Sequence, residues 1–127
     1  MNGTIVTNNP RVRDAFASRY ETVYRSCSYE ALLKAVRDRV HRGDRILTHP
    51  LYGSVKPRET PYRSVFLEQG NGRTDSDSVS LIESAILSIE KFRDKAVLYD
   101  ASLLEDCQQV DLALFQSAIR AMEAEAV

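Results

Sequence analysis

Residues 48–64, Thr-His-Pro-Leu-Tyr-Gly-Ser-Val-Lys-Pro-Arg-Glu-Thr-Pro-Tyr-Arg-Ser, gather more side chains able to do chemistry than any other stretch of this chain. His49 is an imidazole, the side-chain type suited to acid/base work near neutral pH, although a hydrogen-bonded structural role is the commoner one for such a residue. Lys56 and Arg58 can hold a carboxylate or phosphate, Ser54 and Thr60 can add directional hydrogen bonds, and Gly53 lets a ligand approach the backbone. Glu59 can pair with Lys56, Arg58 or Arg63, or act as an acid; a solvated ion pair is the usual outcome for such neighbours. Pro50, Pro57 and Pro61 are three of the four prolines in the chain. Each fixes φ and lowers the entropy of the unfolded segment, so the polar groups are held in few conformations. The chemistry this favours is recognition of a small anion, ahead of a purely connecting role in which Tyr52 and Val55 pack and the polar groups satisfy turns.

Other chemistries lack their residues. Ser54 follows Gly53, but there is no Gly-x-Ser-x-Gly elbow and no Ser/His/acid triad to activate it. The two histidines, His41 and His49, are eight apart, with no His-Glu-x-x-His run and no paired cysteines, so no metal is assigned. Neither a phosphate-binding Gly-x-x-x-x-Gly-Lys-Ser/Thr loop nor a glycine-rich dinucleotide fingerprint occurs, and no cofactor is expected. Cys27 and Cys107 are far apart, which favours reduced thiols. Cys27 stands just before a helix start, a setting that can favour thiolate, although simple partial burial is commoner. A net charge of −1, with acids and bases interspersed, gives no footprint for nucleic acid. The amino terminus has no basic segment followed by an apolar run, and no stretch approaches the roughly 20 apolar residues that span a bilayer, so a cytoplasmic protein without membrane attachment is the expectation.

These groups need a scaffold, and 127 residues suit one domain over 1–127. Thr4–Thr7 is a β-prone run; Asn9 then caps a helix that Pro10 starts, with Val12, Ala15, Phe16 and Tyr20 on one face. Glu21–Arg25 reads as a more polar strand. Ser28 opens a second helix with Leu32, Ala35, Val36 and Val40 inward and Gly43 as its terminator, and His41 is expected to meet that helix's last carbonyls. Arg45–Thr48 and Arg63–Leu67 read as third and fourth strands. After a turn-rich connector at 71–77, a long helix turns Leu81, Ile82, Ala85, Ile86, Ile89 and Phe92 inward, and a last helix carries Leu112, Phe115, Ala118, Ile119 and Met122. Ser80 with Glu83, and Ser102 with Glu105, have capping-box spacing.

The alternation predicts an α/β fold: a small mixed sheet of about four strands, the first three parallel and the fourth antiparallel, with helices on both faces. The expected order is 2-1-3-4, which puts a switch point between strands one and three. Asn8, Asn9, Cys27, Ser28, Thr48 and His49 then share one rim, where Asn8 and Asn9 can orient ligand carbonyl or amide groups; helix capping is the higher-prior account of Asn9 alone.

The motifs Thr7-Asn8-Asn9-Pro10, Val36-Arg37-Asp38-Arg39-Val40-His41-Arg42-Gly43 and Leu47-Thr48-His49-Pro50-Leu51-Tyr52-Gly53-Ser54-Val55-Lys56-Pro57, continued by Glu59-Thr60-Pro61-Tyr62, resemble the GrdX family. The likeness extends to Ser80-Leu81-Ile82-Glu83 and Val110-Asp111-Leu112. It implies a cytoplasmic accessory protein of the glycine, sarcosine or betaine reductase system, with Asn8, His49, Gly53, Ser54, Lys56 and Glu59 in the characteristic surface. Together with the residues themselves it gives the leading expectation: a protein that binds a small anionic metabolite or a reductase component through 48–64. The ligand-binding set is Asn8, Asn9, His49, Gly53, Ser54, Lys56, Arg58, Glu59 and Thr60. The alternatives are an enzyme acting on a carboxylate or phosphate compound with His49 as acid/base, and structural pairing into a homo-oligomer through the last helix.

Overall fold

The computed structural model describes residues 3–50, 60–70, 72–90 and 100–125. Four strands, β1 (Gly3–Thr7), β2 (Glu21–Tyr24), β3 (Arg45–Ile46) and β4 (Ser64–Glu68), form one sheet. Four helices, α1 (Pro10–Phe16), α2 (Tyr29–His41), α3 (Ser76–Glu90) and α4 (Ala101–Glu125), cover it.

Period-2 alternation in the central strands decides the layers. Val6, Val65 and Leu67 turn to one face, where they pack with Leu32, Leu33, Val36 and Val40 of α2 and Ile82, Ala85, Ile86 and Ile89 of α3. Ile5 and Phe66 turn to the other face, against Val12 and Phe16 of α1 and Phe115 and Ile119 of α4. Phe16 and Phe115 meet edge to face at 5.4 Å, a geometry worth about 0.5–1.5 kcal/mol beyond area burial. Gly3 is required by close approach: a Cβ there would run into the Phe66 ring.

The strand order is β2-β1-β4-β3, not 2-1-3-4, and β1 with β2 is the one parallel pair among the described strands. β4 lies between β1 and β3 and is antiparallel to both, with Ile5 opposite Phe66 and Ile46 opposite Leu67. The expected switch point between neighbouring strands one and three is therefore absent. The reason is burial: β4 is apolar on both faces and takes a central place, whereas β3 is two residues long and suits an edge. Because β3 and β1 both run opposite to β4, they point the same way. The polar β2 occupies the other edge, as its composition suggests.

Local capping explains the helix ends. Asn9 Oδ1 accepts from Arg11 N at 3.0 Å with Pro10 in the first turn, and Ser28 Oγ accepts from Ala31 N at 3.1 Å. α2 closes in a Schellman arrangement: Gly43 N donates to Val40 O and Asp44 N to Arg39 O, with Gly43 at φ 111°. The third and fourth helices start earlier than the Ser-x-x-Glu matches implied. Asp75 Oδ2 accepts from Ser78 N at 3.0 Å and Asp100 Oδ1 from Leu103 N at 2.7 Å, so aspartates cap both, and Ser80 and Ser102 lie inside helices. The Ser78 hydroxyl, which donates to Asp75 Oδ2 at 2.7 Å, and then the Ser78 N–H hold the Asp75 carboxyl below its usual pKa. Ala15 is exposed and α1 ends at Phe16; His41 is exposed and faces Glu83 at 3.8 Å. Phe92 lies outside the described residues.

Candidate functional site

β1 ends at Thr7 and is followed by Asn8 and Asn9, three consecutive buried polar residues. Buried polar groups cost free energy unless paired, so their partners define what this rim does. Asn8 spans three segments. Its Nδ2 donates to Cys27 O at 3.0 Å and Pro61 O at 2.8 Å, and its Oδ1 accepts from Arg63 N at 2.8 Å. Both amide hydrogens thus reach backbone carbonyls, tying the end of β1 to the segment before α2 and to the segment entering β4.

Asn9 and Thr7 reach the other face. Asn9 Nδ2 donates to Asp111 Oδ2 and to Gln108 O, each at 3.0 Å. Ser64 Oγ donates to the same Asp111 Oδ2 at 3.0 Å and shares a 2.7 Å hydrogen bond with Thr7 Oγ1, which also accepts from Asn9 N at 2.9 Å. Asp111 is 3% exposed, and with Arg63, 1% exposed, it is one of two buried charged side chains among the described residues.

Arg63 sits on the α2 side, its guanidinium carbon 5.1 Å from the centroid of the Tyr29 ring. Burial pushes the Tyr29 hydroxyl up to about 12 and the nearby Arg63 charge only partly offsets this. Burial likewise raises the Cys27 thiol, against an opposing pull from Arg25, the direction away from thiolate for this partly buried cysteine.

The two feet of the 48–64 segment are fixed to this frame. At one foot, Thr48 is buried and its Oγ1 accepts from Phe66 N at 2.9 Å. At the other, Thr60 Oγ1 accepts from Tyr62 N at 3.2 Å, Pro61 O is held by Asn8, and Tyr62 Oη accepts from Gln108 Nε2 at 2.9 Å.

Of the residues the sequence singles out, Asn8, Asn9 and Thr60 are buried in or beside this network. His49 is exposed on the chain leaving β3. It departs toward the same end of the sheet as Asn8, because β1 and β3 run in the same direction. One strand separates the two exits, which strand spacing puts at about 10 Å. Gly53, Ser54, Lys56, Arg58 and Glu59 lie outside the described residues. Sequence reasoning passed over Arg63, Asp111 and Tyr29 as parts of the rim. A signal for Asp111 existed: Cys107, Asp111, Phe115 and Ile119 are spaced by four and are all buried, so the acid occupies a position on the apolar stripe of α4. No group of three or more His, Cys, Asp or Glu able to hold a metal occurs among the described residues, and no described helix is long and apolar enough to cross a membrane.

Compared with known proteins, residues 4–120 match the family model described as GrdX-like protein. No curated protein and no solved structure matches.

Proposed function

Because the chain belongs to the GrdX-like protein family, we propose that it serves the glycine, sarcosine or betaine reductase system as an accessory protein, binding a small anionic metabolite or a reductase component through residues 48–64. The observation that carries this reading is the anchoring of both feet of that segment by buried polar groups. Asn8 alone fixes Pro61 O and Arg63 N, and Asp111, Ser64, Thr7 and Asn9 lock the strand ends beneath. A plain connector between two strands needs no buried charge at its base, because burying an ionised group costs several kcal/mol before its partners offset it. Rigid feet under a segment carrying His49, Ser54, Lys56, Arg58 and Glu59 are the arrangement by which a protein presents polar groups in few conformations. In this reading His49, Gly53, Ser54, Lys56, Arg58, Glu59 and Thr60 meet the ligand, Lys56 and Arg58 supply the charge, and Asn8 and Asn9 set the position of the segment.

The test is calorimetric titration of wild type and of the His49→Ala/Lys56→Ala double variant with acetyl phosphate, glycine and inorganic phosphate, and with purified reductase components. Wild-type binding to any one of these that falls at least tenfold in the double variant, with far-UV circular dichroism unchanged, supports the reading. Equal affinity in both proteins removes the segment from it.

A further inference from the structure

The sheet has two edges, and they are treated differently. On the β3 edge, the outward amide of Ile46 donates to Ser78 Oγ at 2.9 Å, and Ser78 Oγ is itself held by Asp75 at 2.7 Å. That edge is two residues long and is closed by α3. On the β2 edge no described strand lies beyond Glu21–Tyr24. Arg25 N donates inward to Thr7 O at 3.0 Å, so by strand alternation the backbone groups of Thr22 and Tyr24 point outward. This edge has no proline and no bulge among its residues; it is short, and the charges at its two ends, Glu21 and Arg25, are of opposite sign.

From this geometry we infer that β2 pairs antiparallel with β2 of a second copy of the chain, about a two-fold axis at Val23, joining two sheets into one of eight strands. The sequence Glu21-Thr22-Val23-Tyr24-Arg25 is self-complementary in that register. Thr22 and Tyr24 of opposite copies become the hydrogen-bonded pairs, each exchanging two bonds, which is where their outward amides and carbonyls are needed. Val23 meets Val23 on the axis. Glu21 stands opposite Arg25 twice, in non-hydrogen-bonded positions where facing side chains come closest. A shift of one residue either way loses both charge pairs and turns inward-facing amides toward the partner.

The flanks agree with this occupant. Beside β2, Val6, Val23, Ala35, Arg25, Asp38, Arg39 and Arg42 line a shallow cleft between the edge and α2. Val23, half-buried, is among its lining residues, so the two-fold contact covers part of this largely charged cleft. Glu21 is 56% exposed and 3.9 Å from Arg39, which leaves its carboxylate open to a second cation. The pairing is isologous, as closed two-fold dimers require. It is independent of the ligand reading above, since β2 is on the side of the sheet remote from β3 and the exit of His49.

The experiment is sedimentation equilibrium at low ionic strength on wild type, Glu21→Arg, Arg25→Glu and the Glu21→Arg/Arg25→Glu double variant, each checked for folding by circular dichroism. A wild-type dimer is expected. Each single reversal acts at two symmetry-related pairs and should raise the dissociation constant about tenfold, and the double variant should regain most of that loss. Thr22→Pro removes an outward donor while leaving the bonds to β1 in place, and should give a folded monomer. A monomeric wild type would overturn the inference, as would a dimer whose dissociation constant is unchanged in Arg25→Glu and Thr22→Pro. A double variant as weak as the single ones would overturn the register.

Discussion

Replacing Asn8 by alanine tests whether the rim is held by side-chain bonds or merely decorated by them. The substitution removes the partners of Cys27 O, Pro61 O and Arg63 N at once, at hydrogen-bond distances of 3.0, 2.8 and 2.8 Å. A buried backbone group left unpaired costs about 1–3 kcal/mol. The bond to Arg63 N is fully buried and the two carbonyl contacts are part-buried, so water can recover some of the loss at the carbonyls, and a total of about 3–6 kcal/mol is expected. That is a large share of the roughly 5–15 kcal/mol that holds a domain folded, and lowers Tm by roughly 10–25 °C for a chain of this size. Urea unfolding followed by far-UV circular dichroism at pH 7 measures it directly. Asn8→Asp serves as the control of equal volume. It keeps the acceptor for Arg63 N but presents an oxygen to two carbonyl oxygens, so the carboxyl's folded-state pKa is raised above its unfolded value near 3.9. A raised pKa means stability present below the unfolded value and lost as pH rises through the folded one. The control should therefore approach wild-type stability in acid and fall behind it toward neutrality. A loss under about 1 kcal/mol in the alanine variant, or a pH-independent aspartate variant, would refute the bracing role and with it the argument for rigid feet.

Two further predictions bear on the same end of the molecule. Asp111→Ala strips the shared acceptor from Asn9 Nδ2 and Ser64 Oγ; each donor keeps one other partner, so a loss of about 2–4 kcal/mol is expected in urea unfolding, and equal stability would mean that this carboxylate is dispensable. The Tyr29 phenol, raised to about 12 from 10.0 by burial, is neutral in the folded chain. Its contribution is present below pH 10 and is lost as pH rises from 10 to 12, about 2–3 kcal/mol in all. Ultraviolet difference titration should show a late-ionising component that shrinks by one tyrosine in Tyr29→Phe, and a titration whose late component is the same in both proteins would contradict the burial.

Much of the scaffold was legible because it rests on short-range rules. The alternation in Thr4–Thr7 and Ser64–Leu67, the Asn9-Pro10 and Ser28 helix starts and the Gly43 stop are each settled by a few neighbouring residues. Strand order is not a local property. Placing β4 between β1 and β3 joins residues more than sixty apart, as Thr4 and Leu67 are, and no pattern in either strand states its neighbour. Helix starts were misread where two Ser-x-x-Glu matches lay inside helices already capped by Asp75 and Asp100: a capping box needs its serine outside the helical run, and spacing alone does not say where the run begins.

The buried charges were illegible for a different reason. A periodic reading picks the apolar residues of a stripe, and so Asp111 was left off that of the last helix although its spacing to Phe115 and Ile119 is that of the core. Had hydrophobic burial been the only requirement at this position, an apolar residue would serve α4 better, because a buried carboxylate must be compensated bond by bond. Compensation is what the fold supplies, through Asn9 and Ser64, and these two stand just past the end of β1 and at the start of β4, the strand into which the 48–64 segment returns. A carboxylate oxygen that accepts from both strand ends ties them to one point on a helix within hydrogen-bond distance and angle limits, which adds direction to what apolar contact supplies. The buried polar groups therefore concentrate where position, more than stability, is at stake, and that concentration lies at the same end of the sheet as His49, where the chain leaves β3.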